Sequence, residues 1–411
     1  MLKRLLVYTL LLVTLPLSAA DDLSKTIVRR LDVLLKDSLL THSQLGLYVY
    51  DITDDTLLLA HNELQLMRPA SCQKIVTAIT ALDLLGADYK FRTGLYLDGE
   101  QQGEVFNGDL ILRAGFDPLL ETAEAEQMID LLRQRGIKEI TGNFHLDLTM
   151  KDTLSRGAGW CWDDKDKRIR PLYLDGNTAN ARPFLRLLQK AEIQFKGKIY
   201  RRELTPTAIC VAECQRPLTA VLQPMMKESD NLCAESVFYQ IAAHSQKPGA
   251  SADDAVAYIN CLIDTLGLNH AHYRIADGSG LSLYNYATPE LFATLLRYAY
   301  ASPQILPALY ESLPICGEDG TLKKRMRLST AAGNVRAKTG SVTGISTLAG
   351  YCTTAHGHTL CFVIFNQGLI RASHGRAYQD KVLEALTKGL PGDKRKETPE
   401  ESAVIPADVP Q

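Results

Sequence analysis

The sequence lacks an excess of charge of either sign. Its 411 residues carry 45 Lys and Arg against 47 Asp and Glu, a formal net charge of −2 at pH 7. Proteins that bind nucleic acid or acidic polymers usually present a strongly basic surface, so no such partner is indicated. The chain also has no internal repeats, and its length allows two or three domains with a large hydrophobic core.

The cysteines lack a dense or regular spacing. There are nine, an odd number, which argues against a disulfide framework, and most are expected to be small buried hydrophobic residues. A bond between Cys352 and Cys361 is an open hypothesis, because a two-residue turn at His356-Gly357 would place them opposite each other in a hairpin. A zinc site that combines both cysteines with His356 and His358 is not expected. His356 would lie about 13 Å along the strand from Cys352, at about 3.3 Å per residue, and zinc bonds are far shorter.

The two ends of the chain differ from the rest in composition. Two basic residues precede the apolar run Leu5 to Leu17, and Ser18-Ala19-Ala20 resembles a cleavage site. Residues 1–20 are therefore predicted to be a secretory signal peptide, with an uncleaved membrane anchor as the alternative. Residues 391–411 are rich in proline and charge without periodicity, which predicts a disordered tail.

An almost uniformly apolar stretch from Pro69 to Gly86 predicts a buried helix, with proline at its start and glycine at its end. Ser71 and Lys74 stand three residues apart in its first turn, so their side chains share one face. A serine needs a base to attack a carbonyl near neutral pH, and burial lowers the pKa of a lysine, which allows its amine to accept the proton. An ordinary helix start would give the same pair, so the pair alone decides nothing.

Two further motifs support a chemical role for this pair. Ser229-Asp230-Asn231 lies between two helical patterns, and Lys338-Thr339-Gly340-Ser341 lies on a predicted strand. Separately, the first is compatible with a plain helix cap and the second with a strand end that carries a solvated lysine. Together with Ser-x-x-Lys they form the signature of class A β-lactamases and penicillin-binding proteins.

The chain resembles the D-alanyl-D-alanine carboxypeptidase/endopeptidases of the penicillin-binding protein 4 type, among the class C low-molecular-mass penicillin-binding proteins. Further runs typical of that family extend the resemblance over about residues 21–390. They are Asp277 to Ser282, Gly317 to Leu322, Gly350-Tyr351, Gly115 to Pro118 and the loop Trp160 to Asp164.

The resemblance implies a fold and a domain organisation. The expected fold is α+β and multidomain, the serine β-lactamase/DD-peptidase (transpeptidase-like) fold, with an antiparallel sheet flanked by helices and an inserted α/β domain. From about Phe91 to about Pro206 the sequence changes to short strand patterns with many glycines and acids, which indicates that residues 91–206 are the inserted domain. Residues 21–90 and 207–390 would then form the discontinuous catalytic domain.

The resemblance also implies the catalytic roles. Ser71 would attack the carbonyl between two D-alanines to give an acyl-enzyme, and Lys74 would accept the hydroxyl proton. Ser229, hydrogen-bonded between Lys74 and Lys338, would pass a proton to the leaving amine. The charge of Lys338 would also lower the pKa of Lys74.

Substrate binding is implied at the residues that follow these groups. Asn231 would hold the substrate amide, and Thr339, together with Lys338, would bind the terminal carboxylate. The backbone N–H groups of Ser71 and Ser341 would form the oxyanion hole, while Gly340 leaves room for the peptide beside its strand. Asp117 is a substrate-binding candidate in the inserted domain, with a structural turn as the favoured alternative.

The implied partners are peptidoglycan stem peptides and β-lactam antibiotics that act as covalent inhibitors. No cofactor or metal is implied, and nothing indicates nucleic acid or a membrane surface. The expected location is the periplasm or cell envelope, after secretion across the inner membrane.

Two other functions stay open at this point. The first is a serine β-lactamase on the same fold, but the Glu-x-x-Leu-Asn stretch of class A enzymes is missing between Asn231 and Lys338. The second is a non-catalytic penicillin- or peptidoglycan-binding module, against which three intact motifs argue. The sequence does not separate carboxypeptidase from endopeptidase action, because both break a bond to the same D-alanine carbonyl.

Overall fold

The computed structural model describes residues 17–164 and 168–390. The first sixteen residues of the predicted signal peptide and the whole predicted tail lie outside the described residues. The described α-helices are α1 Leu17–Leu34, α2 Gln73–Leu85, α3 Thr122–Gln134, α4 Ala181–Lys190, α5 Leu218–Lys227, α6 Asn231–Ala242, α7 Ala252–Thr265, α8 Pro289–Ala301, α9 Leu306–Ser312 and α10 Ala372–Thr387. Within these ranges, no helix is both long enough and apolar enough to cross a bilayer.

The β-strands form two larger sheets and one small hairpin. They are β1 Gln44–Asp51, β2 Thr56–His61, β3 Lys90–Gln102, β4 Val105–Arg113, β5 Glu139–Ile140, β6 Phe144–Asp147, β7 Tyr173–Leu174, β8 Asn177–Thr178, β9 Gln194–Phe195, β10 Ile199–Arg201, β11 Ile209–Pro217, β12 Arg336–Val342, β13 Ile345–Thr353 and β14 Thr359–Gln367.

The first sheet has five strands in the order β12-β13-β14-β1-β2, all antiparallel. Its inner strands are buried on both faces, which explains the nearly continuous apolar run of β14. Val363 and Phe365 point into the core formed with α2 and α5 to α9, whereas Phe362 and Ile364 point into the core formed with α1 and α10. The sheet is thus covered by helices on each side, as expected.

The second sheet has seven strands and combines parallel and antiparallel pairs. Strands β10, β6 and β4 are neighbours and run parallel to one another. Next to β4 lies β3, which is antiparallel to it, and β11 pairs antiparallel with β3 at the edge of the sheet. Helices α3 and α4 cover it with an apolar core of its own. Strand β11 belongs to this sheet, in which it pairs with β3, although it begins after the predicted domain boundary at residue 206. The division into domains stays a prediction.

The hypothesis of a Cys352–Cys361 disulfide is wrong. The hairpin pairs Cys352 with Leu360 and Tyr351 with Cys361, because the turn contains three residues, Ala355 to Gly357, and not two. A register shift of one residue places two side chains on opposite faces of a sheet. The two cysteines accordingly lie in different cores, and both are free thiols.

Candidate active site

Ser71 lies in a short 3-10 turn, Ala70–Cys72, that leads directly into α2. Lys74 is in the first turn of α2, fully buried, and its Nζ donates a hydrogen bond to Ser71 Oγ at 3.1 Å. Ala70 has a φ of 47°, a left-handed conformation that is unusual for a residue with a side chain. A contact with β13 stabilises this turn, because Thr347 Oγ1 donates a hydrogen bond to the Pro69 carbonyl oxygen at 2.7 Å.

The Lys74 amine has two further acceptors besides the serine. Asn231 Oδ1 is 2.6 Å and the Ser279 carbonyl oxygen 2.7 Å from Nζ. A neutral amine has two N–H groups and one lone pair. When Lys74 is neutral, the two oxygens can take its two N–H groups. Nζ then no longer donates to Ser71 Oγ but accepts from it, which is the arrangement that a general base requires.

Lys338 is the second buried lysine of the site. Its Nζ donates to Ser229 Oγ at 2.8 Å and to the Thr339 carbonyl oxygen at 2.7 Å. Burial, with a smaller contribution from the positive charge of Lys74, lowers the pKa of Lys338 from 10.5 to about 7. Ser229 has a φ of 63°, so strained backbone borders the pocket here as well as at Ala70.

Gly340 brings β12 against the turn that carries the nucleophile. A Cβ at this position would lie 2.2 Å from Thr347 Oγ1 and 2.9 Å from both Pro69 O and Ser71 N. Those distances are too short for a real side chain, so only glycine allows the strand and the turn to approach this closely.

These elements enclose a cavity of about 400 Å³. Its lining residues are Ser71, Ser229, Thr321, Arg325, Thr339, Ser341 and Arg376. The structure thus brings the three predicted motifs together around one pocket. Sequence reasoning assigned no role to Thr321, although it lies in the family run Gly317 to Leu322, and it missed both arginines, which no motif contains.

The Ser279 carbonyl is positioned by a network around the buried carboxylate of Asp277. Asp277 accepts hydrogen bonds from the Gly280 and Ser282 backbone N–H groups at 2.8 and 2.7 Å. It also accepts one from Trp160 Nε1 at 2.8 Å, which ties the tryptophan-containing loop to the active site. Burial and the charge of Asp277 raise the pKa of Glu235, which accepts from the Ser279 N–H, to about 8.

Asp117 does not line the cavity, and its carboxylate is only 1% exposed. It accepts a hydrogen bond from Leu119 N at 2.9 Å and pairs with Arg216 Nε at 3.3 Å. Burial raises the pKa of this carboxyl group. These contacts leave no accessible oxygen for a peptide, so substrate binding by Asp117 is not supported and the structural turn is the better interpretation.

One group of potential metal ligands occurs among the described residues. Asp51, Asp54 and His358 place their ligand atoms within 4.8 Å of one another, where the turn between β1 and β2 meets the residue that precedes β14. His358 Nδ1 is 2.8 Å from Asp51 Oδ2, a hydrogen-bond distance, and none of the three residues lines the cavity. The zinc site of Cys352, His356, His358 and Cys361, which was not expected from the sequence, would require two cysteines that lie on opposite faces of the sheet.

An antiparallel sheet covered by helices, with Ser-x-x-Lys, Ser-Asp-Asn and Lys-Thr-Gly around one cavity, defines the class of active-site serine proteins that react with penicillin. The profile of the D-Ala-D-Ala carboxypeptidase 3 (S13) family matches residues 27–182 and 173–388. The chain belongs to this family.

Individual relatives agree with the family assignment. D-alanyl-D-alanine carboxypeptidase DacB of Haemophilus influenzae is 26% identical over 434 residues, covering 85% of this chain and 88% of the relative. Carboxypeptidase DacB of Mycolicibacterium smegmatis is 29% identical over 337 residues, covering 73% of this chain and 71% of the relative.

Solved structures confirm the expected fold. The crystal structure of penicillin binding protein 4 (dacB) from H. influenzae superposes with a TM-score of 0.77 at 25% identity, covering 89% of this chain and 98% of that one. Bd3459, a predatory peptidoglycan endopeptidase from Bdellovibrio bacteriovorus, has a TM-score of 0.53 at 18% identity, covering 79% of this chain and 86% of that one, which is a likeness of fold alone.

Proposed function

We propose that this protein is a serine DD-peptidase. It cleaves the D-Ala-D-Ala ends of peptidoglycan stem peptides, or the D-Ala-diamino acid cross-links between them, through an acyl-enzyme on Ser71. The contact between Ser71 Oγ and the buried Lys74 Nζ, at 3.1 Å and beside the other two motifs, is the observation that carries this proposal. The family and the carboxypeptidase names of the relatives support it.

Acylation starts with Lys74 neutral and Lys338 protonated. Lys74 Nζ takes the Ser71 proton while Oγ bonds to the D-alanine carbonyl carbon, and the backbone N–H groups of Ser71 and Ser341 receive the oxyanion. The carbon–nitrogen bond then breaks, and the leaving amine takes a proton from Ser229. Lys338, at 2.8 Å from Ser229 Oγ, replaces that proton.

Deacylation restores both lysines. Water gives a proton through Ser229 to the now neutral Lys338, and its oxygen bonds to the acyl carbon. The bond to Ser71 Oγ breaks, and Lys74 returns the proton that it accepted. Two neighbouring cations repel each other, which favours a state in which only one of Lys74 and Lys338 is charged at a time. A pKa of about 7 allows Lys338 both to give up and to take back a proton near neutral pH.

β-lactams would enter the same reaction and stop after the first half. A ring-opened penicillin stays attached to Ser71 and keeps water from the acyl carbon. The proposed location is outside the cytoplasm, in the periplasm or cell envelope, with residues 1–20 as the export signal.

The test compares the wild type with Ser71→Ala and with the control Ser245→Ala, an exposed serine. Release of D-alanine from a pentapeptide and the mass of the protein after exposure to penicillin are measured. Wild type and control are expected to release D-alanine and to gain a lasting adduct of one penicillin, whereas Ser71→Ala does neither. Equal release by Ser71→Ala contradicts the proposed nucleophile, and rapid penicillin turnover without an adduct favours a β-lactamase. Digestion of cross-linked muropeptides then measures the share of endopeptidase action.

A further inference from the structure

Two arginines lie in the wall of the active-site cavity, and they differ in how they are bound. Arg325 is held by Asp380, with its Nε 2.9 Å from Oδ1, and by the Gln379 side chain. Its side chain is only 11% exposed. The charge of Arg325 is therefore already balanced within the protein.

Arg376 is exposed and lines the same cavity. Within residues 17–164 and 168–390, no acceptor or acid is found within bonding distance of its guanidinium group. The cavity wall contains hydroxyl groups and the two arginines but no carboxylate. The pocket thus presents one unbalanced, permanently charged cation to whatever enters it.

The backbone places Arg376 beside the end of β12. The preceding residue, Gly375, is buried against β13, and a Cβ there would lie 2.8 Å from Ser346 Cβ. Ser346 is the partner of Ser341 in the β12–β13 ladder. The Arg376 carbonyl also accepts a hydrogen bond from Arg325, which fixes this turn of α10.

Lys338, to which the family resemblance assigns the substrate carboxylate, is poorly placed for that role. Its side chain is fully buried, and its Nζ already donates to Ser229 Oγ and to the Thr339 carbonyl oxygen. Lys338 does not line the cavity, whereas Thr339 does. A carboxylate next to Thr339 and Ser341 would meet the guanidinium of Arg376 first.

We propose that Arg376 is the charge partner of the leaving group's carboxylate, bound beside the Thr339 and Ser341 hydroxyls, and so determines specificity for substrates with a free carboxylate on the leaving residue. This inference rests on the proposed function and identifies the residue that binds the carboxylate end of its substrate. An Arg–carboxylate pair forms two parallel hydrogen bonds, which fix the leaving residue as well as attract it. Lys338 is then free to serve proton transfer through Ser229.

The test uses two acyl-D-alanyl thioesters that differ only in the charge of the leaving group, thioglycolate and its neutral amide. Loss of the thioester absorbance gives kcat/KM for the wild type, Arg376→Ala, Arg376→Lys and Arg371→Ala. Arg371 is an exposed arginine at the start of the same helix and does not line the cavity, so it is the matched control.

Arg376→Ala is expected to lower kcat/KM for the thioglycolate ester about tenfold to a hundredfold, because hydrogen bonds between charged groups contribute about 1.5–3 kcal/mol. The neutral ester should change less than about threefold, since its amide offers no charge to pair. Arg376→Lys should recover part of the loss, and Arg371→Ala should behave as the wild type.

An equal fall on both esters, or no fall on either, overturns the inference. The thermal midpoint of each variant is measured beside its kinetics, so that a folding defect is recognised by its equal effect on both esters. Failure of the proposed function has a different signature. It would appear as wild-type protein that turns over neither ester, or as Ser71→Ala protein that turns over both.

Discussion

Burial of Lys338 predicts how the stability of this protein depends on pH. Its pKa is about 7 in the folded protein against 10.5 for an ordinary lysine, so between these values the unfolded chain binds more protons than the folded one. The free energy of unfolding therefore rises with pH across this window and is lowest below pH 7, where the buried amine is charged. From pH 7 to pH 9 the contribution of Lys338 improves by about 2 kcal/mol.

The variant Lys338→Met removes this titration while keeping an unbranched side chain of similar length. Urea unfolding is measured at pH 7 and pH 9 for the wild type, for Lys338→Met and for the control Lys324→Met, an exposed lysine. The free energy difference between Lys338→Met and the wild type is expected to shift by about 2 kcal/mol in favour of the wild type on going to pH 9. Lys324→Met should show the pH dependence of the wild type.

An equal difference in the free energy of unfolding between the wild type and Lys338→Met at pH 7 and pH 9 would contradict a lowered pKa for Lys338. Lys338 would then have the same pKa in the folded and the unfolded chain, and the assigned proton exchange with Ser229 would lose its physical basis. At pH 7 Lys338→Met should also lose penicillin acylation, because Ser229 would no longer have its proton donor.

Two further predictions concern a close packing contact and a hydrogen bond around the site. Gly340→Ala places a Cβ 2.2 Å from Thr347 Oγ1 and is expected to slow penicillin acylation at least about tenfold, measured by the rate of adduct formation in intact mass, because near-attack geometry is sensitive to shifts of about 1 Å. An unchanged rate contradicts the tight approach described here. Trp160→Phe removes a hydrogen bond to the buried Asp277 carboxylate and should lower the free energy of unfolding by about 1–3 kcal/mol. Trp162→Phe, at a side chain that is 84% exposed, should leave the free energy of unfolding unchanged. Equal effects of the two variants would contradict a stabilising contribution from the hydrogen bond between Trp160 and Asp277.

Local signals in the sequence mark the starts of helices and several functional positions. Ser251 and Asp254 form a capping box at the start of α7, and Thr288 caps α8, whose first residue is Pro289. These features depend on neighbours in the chain, so the sequence contains the whole signal. The motif residues were recognisable for a related reason. Their spacing along one helix turn or one strand places the reacting groups side by side, so the sequence alone shows which groups can act together.

Features that depend on distant parts of the chain were not predictable in this way. The turn between β13 and β14 has one residue more than expected, and this single residue decided that Cys352 and Cys361 face different cores. Arg376 enters the active-site cavity only because α10 packs against β13, and no residue near it in the sequence marks that contact. Both features follow from tertiary packing and cannot be predicted from a local sequence motif.

The pairing of β1 with β14, the middle strand of the first sheet, has a consequence for how the protein is made. Strand β14 is among the last strands of the chain, and the side chains of Asp51 and His358, which meet across this pairing, are 307 residues apart. A ribosome must therefore finish nearly the whole polypeptide before the central ladder can close, and such long-range closure is slow. Until then Ser71 has no Lys338-bearing strand beside it, so a partly synthesised chain carries the nucleophile without the means to use it.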